Sequence, residues 1–196
     1  MTLWGNKLKN DGYLKDPKII EVFNHIDRKD FLPDQWKNFS EMDEPIELAM
    51  GQTQSAPHMD AIMAEWAKTN VNDDVLEIGT GSGYFTTILS FMASKVLSVE
   101  YFEEMIRWAK KNISKYKRDN IELVGCNIND FCIRKKFDLI ISTASFSKKP
   151  TFLYALMKQD ARLIYPIGSY PPQRMIYYRN RKEKIIADVA FVPIIY

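Results

Sequence analysis

The sequence predicts an α/β domain built on a doubly wound, mostly parallel sheet with helices on both faces and an antiparallel C-terminal edge. Three observations carry that expectation. From Val75 onward, short apolar runs alternate with amphipathic ones, the pattern of strand-helix-strand units that close into a parallel sheet. The first apolar run ends in a glycine-rich turn, GTGSG, at residues 79–83. The last two apolar runs, 175–178 and 185–192, are separated only by RNRKEK and its neighbours, a hairpin connection rather than a crossover.

Taken in order, the N-terminal MTLWGNKLKNDGYLKD has no apolar leader. Residues 17–32 read as a short amphipathic helix, with Ile19, Ile20, Val22, Phe23 and Ile26 available to bury. Residues 32–57 are irregular, punctuated by Pro33, Pro45 and Pro57. Met59, Ile62, Met63, Trp66 and Ala67 then fall on one face of a helix. Pro57 suits its first turn, and Ser55 is placed to cap it. Strands are expected at 75–78, 95–99, 121–124, 137–141 and 162–167. Helices are expected at 84–93, around Met105, Ala109, Ile113 and Tyr116, and at 150–157.

At 196 residues the chain suits one domain, with residues 1–57 on the substrate side of a core formed by 58–196. Hydrophobic residues make up 46% and charged residues 27%, which excludes a disordered chain. No run reaches the ~18 apolar residues of a membrane span, and the expected compartment is the cytoplasm. Cys126 and Cys132 stand six apart without a nearby His, so no zinc pattern is present and no metal is expected. The net charge of +2 gives no general argument for nucleic acid, and the basic runs 110–118 and 174–184 read as solvated faces.

The turn LEIGTGSGY offers a nucleotide site at the carboxyl end of the first strand. It comprises Glu77, Gly79, Thr80, Gly81 and Gly83. Its G-x-G-x-G spacing departs from the usual dinucleotide fingerprint. Glu100 closes the next strand 21 residues after Gly79, placed to accept both ribose hydroxyls.

This arrangement resembles the S-adenosylmethionine-dependent methyltransferases of the Rossmann-like class. Beyond the cofactor motif, the chain is similar to the protein-L-isoaspartate O-methyltransferases from about Asp11 to Pro193. DRKDFLP at 27–33 resembles that family's "PRE-x-F-V-P", and Asp43 stands eight residues before Gly51 as the family's Asp does. GQTQSAPHM at 51–59 resembles its "GQT-I-S-A-P-H-M". VLEIGTGSGY, FDLIISTAS, RLIYPIG and AFVPI resemble its cofactor motif and later strands. Methyltransferases in general do not carry the 51–59 motif, which makes it the most specific of these.

The resemblance implies methylation of the α-carboxylate of L-isoaspartyl residues in damaged proteins, with S-adenosyl-L-homocysteine as product and a monomeric enzyme. It implies Thr53 and Ser55 as the catalytic pair holding the cofactor's methionine end and the substrate carboxylate, with Gln54, Pro57 and His58 on the substrate side. The N–H groups opening the Pro57 helix are expected to help bind the carboxylate. His58 is expected to contribute backbone rather than imidazole. No acid partner is evident for His25 or His58, and Asp60 reads as an ordinary first-turn acid.

The family's Gly-Asp-Gly after the third strand is GCNIND here, with Cys126 at the adenine-contact position and Asn127 or Asn129 as replacements. Ser40-Glu41 stands for Ala-Tyr, Asp160-Ala161 for Gly-Gly, and Gln54 for an apolar residue. Two alternatives remain: a methyltransferase of the same fold acting on a small molecule or RNA, and a cofactor-binding relative with little activity. No aromatic-proline tetrapeptide of the base-methylating kind follows the fourth strand, where residues 142–145 are STAS.

Overall fold

The computed structural model describes residues 3–195. Two N-terminal helices, α1 (Trp4–Asn10) and α2 (Pro17–His25), pack against each other. A Cβ on Gly5 would meet Ile20 O, so only glycine permits the approach. α2 ends at His25 instead of running to residue 32. Residues Arg28–Phe31 form a separate 3-10 turn, with the Asp27 side chain capping its start by accepting from Lys29 N. The stretch expected to be irregular holds a second 3-10 segment, Asp34–Phe39, and a two-stranded ribbon. That ribbon pairs β1 (Ile46–Glu47) antiparallel with β2 (Thr53–Gln54).

α3 (Pro57–Ala67) follows, then β3 (Asp74–Ile78), α4 (Tyr84–Met92), β4 (Lys95–Glu100), α5 (Glu103–Ile113) and β5 (Ile121–Gly125). β6 (Phe137–Ser142), β7 (Met157–Ile167), β8 (Gln173–Arg179) and β9 (Lys182–Val189) complete one seven-stranded sheet in the order β5-β4-β3-β6-β7-β8-β9. The first five are parallel, and β8 and β9 add the antiparallel edge. From β3 the chain first builds one side of the sheet, through β4 and β5, and then returns to build the other from β6. The carboxyl ends of β3 and β6 therefore flank the switch-point crevice where ligands bind in open α/β sheets.

Three further elements differ from expectation. Asn180 and Arg181 alone turn the hairpin, both at positive φ, so Lys182 to Lys184 belong to β9 rather than to a loop. The segment expected to be helical at 150–157 is a 3-10 run, Thr151–Leu156, and β7 begins directly after it. The buried face of α3 is shifted: Met63 and Ala67 are buried as expected, together with Asp60, Ala61 and Ala64, while Met59, Ile62 and Trp66 are only half-buried. The small alanines let the helix sit close to the sheet. Trp66 lies over Tyr177 instead, 5.4 Å between ring centroids, beneath the Lys184 ammonium. No helix among the described residues is long and apolar enough to cross a membrane.

Candidate active site

The glycine turn sits between β3 and α4 with Gly79, Gly81 and Gly83 all at positive φ. At Gly79, φ is 97° and a Cβ would lie 2.5 Å from Thr143 Oγ1, so this position is closed to any side chain. Thr143 fixes the crevice from the β6 side, donating to Gly79 O at 2.6 Å. Glu100, at the end of β4, accepts from Gly81 N at 3.0 Å and from Phe102 N at 3.1 Å. Each carboxylate oxygen thus has one fixed backbone donor and further lone-pair capacity facing the crevice.

Two hollows flank this turn, and a third adjoins the second at Thr53 and Ser55. The first is lined by Ile78, Gly79, Val99, Glu100, Ile128 and Ala144, a flat apolar slot with one carboxylate at its mouth. The second is small and polar, bounded by Thr53, Ser55, Asp60, Gly79, Gly81 and Tyr84. The third is an open groove of about 520 Å³ running past Thr53, Ser55, His58, Pro172 and Phe191. Gly79 belongs to the first and second, and Thr53 and Ser55 belong to the second and third. The two side chains expected to touch both reactants therefore stand at the seam between inner cavity and groove.

The loop carrying Thr53 and Ser55 is held by a buried arginine. Arg28 has no exposed surface, and its Nη1 donates to Met42 O while Nη2 donates to Glu44 O and Ser55 O, at 2.7, 2.7 and 3.1 Å. Gln54 turns inward onto the same cluster. Its Nε2 donates to Phe31 O and Ser82 Oγ, and its Oε1 accepts from Arg28 Nε. At 5% exposure Gln54 is held by Arg28 and Ser82, and it lines the small polar hollow beside Thr53 and Ser55 rather than the open groove. Burying an amide requires partners for it, and Arg28 and Ser82 provide them.

Other expected residues are also placed differently. Ser55 does not cap α3: the cap position is Ala56, with no side-chain bond. Pro57 is buried and does not line the groove. The N–H groups at the start of α3 are already taken, His58 N by Asp43 Oδ1 and Met59 N by Ala56 O, each at 2.9 Å. They are closed to a substrate carboxylate.

His58 does have an acid partner, since its Nδ1 also lies 2.9 Å from Asp43 Oδ1, and its ring lines the groove. Glu77 is wholly buried beneath the turn, accepting from Thr86 Oγ1, and so supports the turn instead of reaching the crevice. Thr80 likewise bonds Ser98 Oγ at 2.6 Å while lining the inner cavity. Asn127 uses its side-chain oxygen on Asn129 N within its own loop, and Ile128 lines the slot in its place. Cys126, half-buried on the same loop, has its thiol pushed up by burial and by Asp130.

Asp60 is the residue that the sequence understates most. It is 1% exposed, its Oδ1 has no partner among the described residues, and Tyr84 Oη beside it has none. Burial raises the Asp60 carboxyl to about 7, with Arg28 and the Ser55 hydroxyl opposing, and raises Glu77 to about 8, with Ser98 and Thr86 opposing. Both groups hold a proton in the folded chain over a range where the unfolded chain has released it. Folding stability from these two groups is therefore greatest near pH 4, falls as pH rises to about 8, and is flat above. Urea titrations from pH 4 to 8 are expected to show this decline, at most about 1.4 kcal/mol per pH unit per group. Asp60→Asn and Glu77→Gln should each flatten part of it. An unchanged slope in both variants would show that neither carboxyl is shifted.

These features fit an adenosyl cofactor: a glycine cradle that a Cβ would fill, a carboxylate at the strand end, and an apolar slot for a flat ring. The fold and crevice define a Rossmann-like methyltransferase. Among solved structures, the chain is similar to a putative protein-L-isoaspartate O-methyltransferase from Plasmodium falciparum in complex with S-adenosyl-L-homocysteine. The TM-score is 0.86 at 23% identity, covering 97% of this chain and 96% of that one. The tRNA (m1A58) methyltransferase of Aquifex aeolicus shares the fold more distantly, with a TM-score of 0.54 over 75% of this chain and 69% of that one, at 18% identity.

The family model described as protein-L-isoaspartate(D-aspartate) O-methyltransferase matches residues 4–196, and the chain belongs to that family. Among its relatives, the protein-L-isoaspartate O-methyltransferase of Pyrococcus abyssi is 35% identical over 96% of this chain and 91% of the relative. That of Pyrococcus horikoshii is 34% identical over 96% and 89%.

Proposed function

We propose that this chain methylates the free α-carboxylate of L-isoaspartyl residues in damaged proteins, using S-adenosylmethionine. The observation that carries the reading is the seam at Thr53 and Ser55, where the hollow beside the glycine turn opens into the long groove. Bound there, the cofactor supplies a sulfonium methyl: a carboxylate oxygen bonds the methyl carbon, the C–S electrons pass to sulfur, and methyl ester and S-adenosylhomocysteine result.

The chain's own residues do the rest by positioning. Glu100 accepts the ribose hydroxyls, the Gly79 turn admits the backbone close to the cofactor, and Ile78, Val99, Ile128 and Ala144 hold the base. Asp60 Oδ1 and Tyr84 Oη, without a partner among the described residues, supply polar contacts for the methionine end. Thr53 and Ser55 orient the substrate carboxylate.

A carboxylate is already nucleophilic at neutral pH, so no general base is required, and catalysis rests on alignment and exclusion of water. The ester then closes spontaneously to a succinimide that reopens partly to normal aspartate. In this reading residues 1–196 act as one domain, as a cytoplasmic monomer on protein rather than nucleic acid.

Calorimetric titration is expected to show binding of both S-adenosylmethionine and S-adenosylhomocysteine. Glu100→Ala should raise both dissociation constants about 10- to 100-fold, the value of hydrogen bonds to a charged group. Absence of binding to the unaltered chain would defeat the reading, and an unchanged constant in the variant would remove Glu100 from the ribose role.

A further inference from the structure

The groove does not end at the Thr53–Ser55 seam. Pro45 forms part of its wall and also lines a second pocket of about 210 Å³. Trp36, Phe39, Met42 and Ile46 line that pocket. Phe39 is 42% and Met42 47% exposed, and Trp36 meets Phe39 edge-on at 5.5 Å between ring centroids. Two large apolar side chains held open to solvent beside an aromatic wall cost hydration free energy that a ligand recovers. The rim is acidic. Glu44 and Glu47 line the pocket, Glu41 is exposed on the adjoining turn, and no Lys or Arg among the described residues lines it.

Resting on the isoaspartyl reading above, we infer that this pocket selects the sequence flanking the damaged residue. It takes an apolar or aromatic side chain of the substrate peptide, with a neighbouring Lys or Arg meeting the glutamates. The occupant is the substrate itself because the pocket continues the substrate groove across a single shared residue. An extended peptide advances about 3.3 Å per residue, so a chain that lies in the groove and passes Pro45 brings residues flanking the isoaspartyl to the pocket. A basic neighbour is opposite in sign to Glu44 and Glu47, and charge pairing at a rim sets selectivity and rate of encounter more than raw affinity.

The test uses isoaspartyl peptides alike except at the three positions on either side, carrying Phe-Lys, Ser-Lys or Phe-Glu pairs. With the unaltered chain, kcat/KM is expected to be about 10- to 100-fold higher for the best-placed Phe-Lys peptide than for its Ser-Lys counterpart. Phe-Glu should fall between them. Phe39→Ser with Met42→Ser, both at exposed positions, should erase the Phe-over-Ser preference while the Ser-Lys peptide reacts as before. Glu44→Gln with Glu47→Gln should erase only the Lys-over-Glu preference.

If every isoaspartyl peptide reacts equally, the inference is wrong and the isoaspartyl reading stands. If none reacts, the isoaspartyl reading itself has failed, and this inference with it. Concentration-dependent dimerisation abolished by Phe39→Ser would also overturn it, by showing that a second copy covers the patch.

Discussion

Arg28→Met is expected to lower the unfolding free energy by about 3–5 kcal/mol, the largest stability effect of any single change at the site. Methionine fills much of the volume but removes the donors to Met42 O, Glu44 O and Ser55 O, leaving three carbonyls without their partner. It also removes the cation facing the buried Asp60 carboxyl, which burial already disfavours in its charged form. Arg28→Lys should recover only part of the loss, because one ammonium cannot reproduce a planar fork reaching three carbonyls on separate segments. Urea denaturation monitored by the midpoint, with an unchanged slope, measures the effect. A loss under about 1 kcal/mol for Arg28→Met would contradict the role given to this cluster. Cofactor affinity should survive in whatever fraction remains folded, since Glu100 and the glycine turn lie on the sheet.

Ser55→Ala separates chemistry from folding in the opposite direction. Its hydroxyl caps no helix, so its removal should change stability by less than about 1 kcal/mol. Turnover should nevertheless fall about 100-fold, the cost of misplacing a reacting group by roughly 1 Å. The contrast with Arg28→Met is the informative part: one variant loses structure with its activity, the other loses activity alone. A Ser55→Ala enzyme with normal kcat, or one that merely melts earlier, would take Ser55 out of the reaction.

The sheet was legible because its strands are near-continuous apolar runs, and Gly79, Gly81 and Gly83 mark where the first one turns. The seam was legible for a different reason, because GQTQSAPHM resembles one family and not methyltransferases at large. What escaped was whatever depended on where side chains turn. Gln54 stands between Thr53 and Ser55 in sequence, yet a strand alternates its faces, so Thr53 reaches the open groove while Gln54 turns inward to Arg28 and the small polar hollow. Asp60 reads as a first-turn acid because nothing in its neighbours announces that α3 presents its alanine side to the sheet. Arg28 sits within the DRKDFLP resemblance, but its three backbone partners lie 14 to 27 residues away. Hydrogen bonds to carbonyls leave no trace in residue types. The same holds for Asp43, whose capture of His58 N and Nδ1 withdraws from substrate binding the helix terminus that the sequence offered for it.

The most direct measurement is methyl transfer from labelled S-adenosylmethionine to two peptides identical except for an L-isoaspartyl or a normal aspartyl residue. The seam between cofactor hollow and groove predicts label in the isoaspartyl peptide alone, as an ester released as methanol by mild base. Equal labelling of both peptides, label stable to base, or no labelling of either would contradict it.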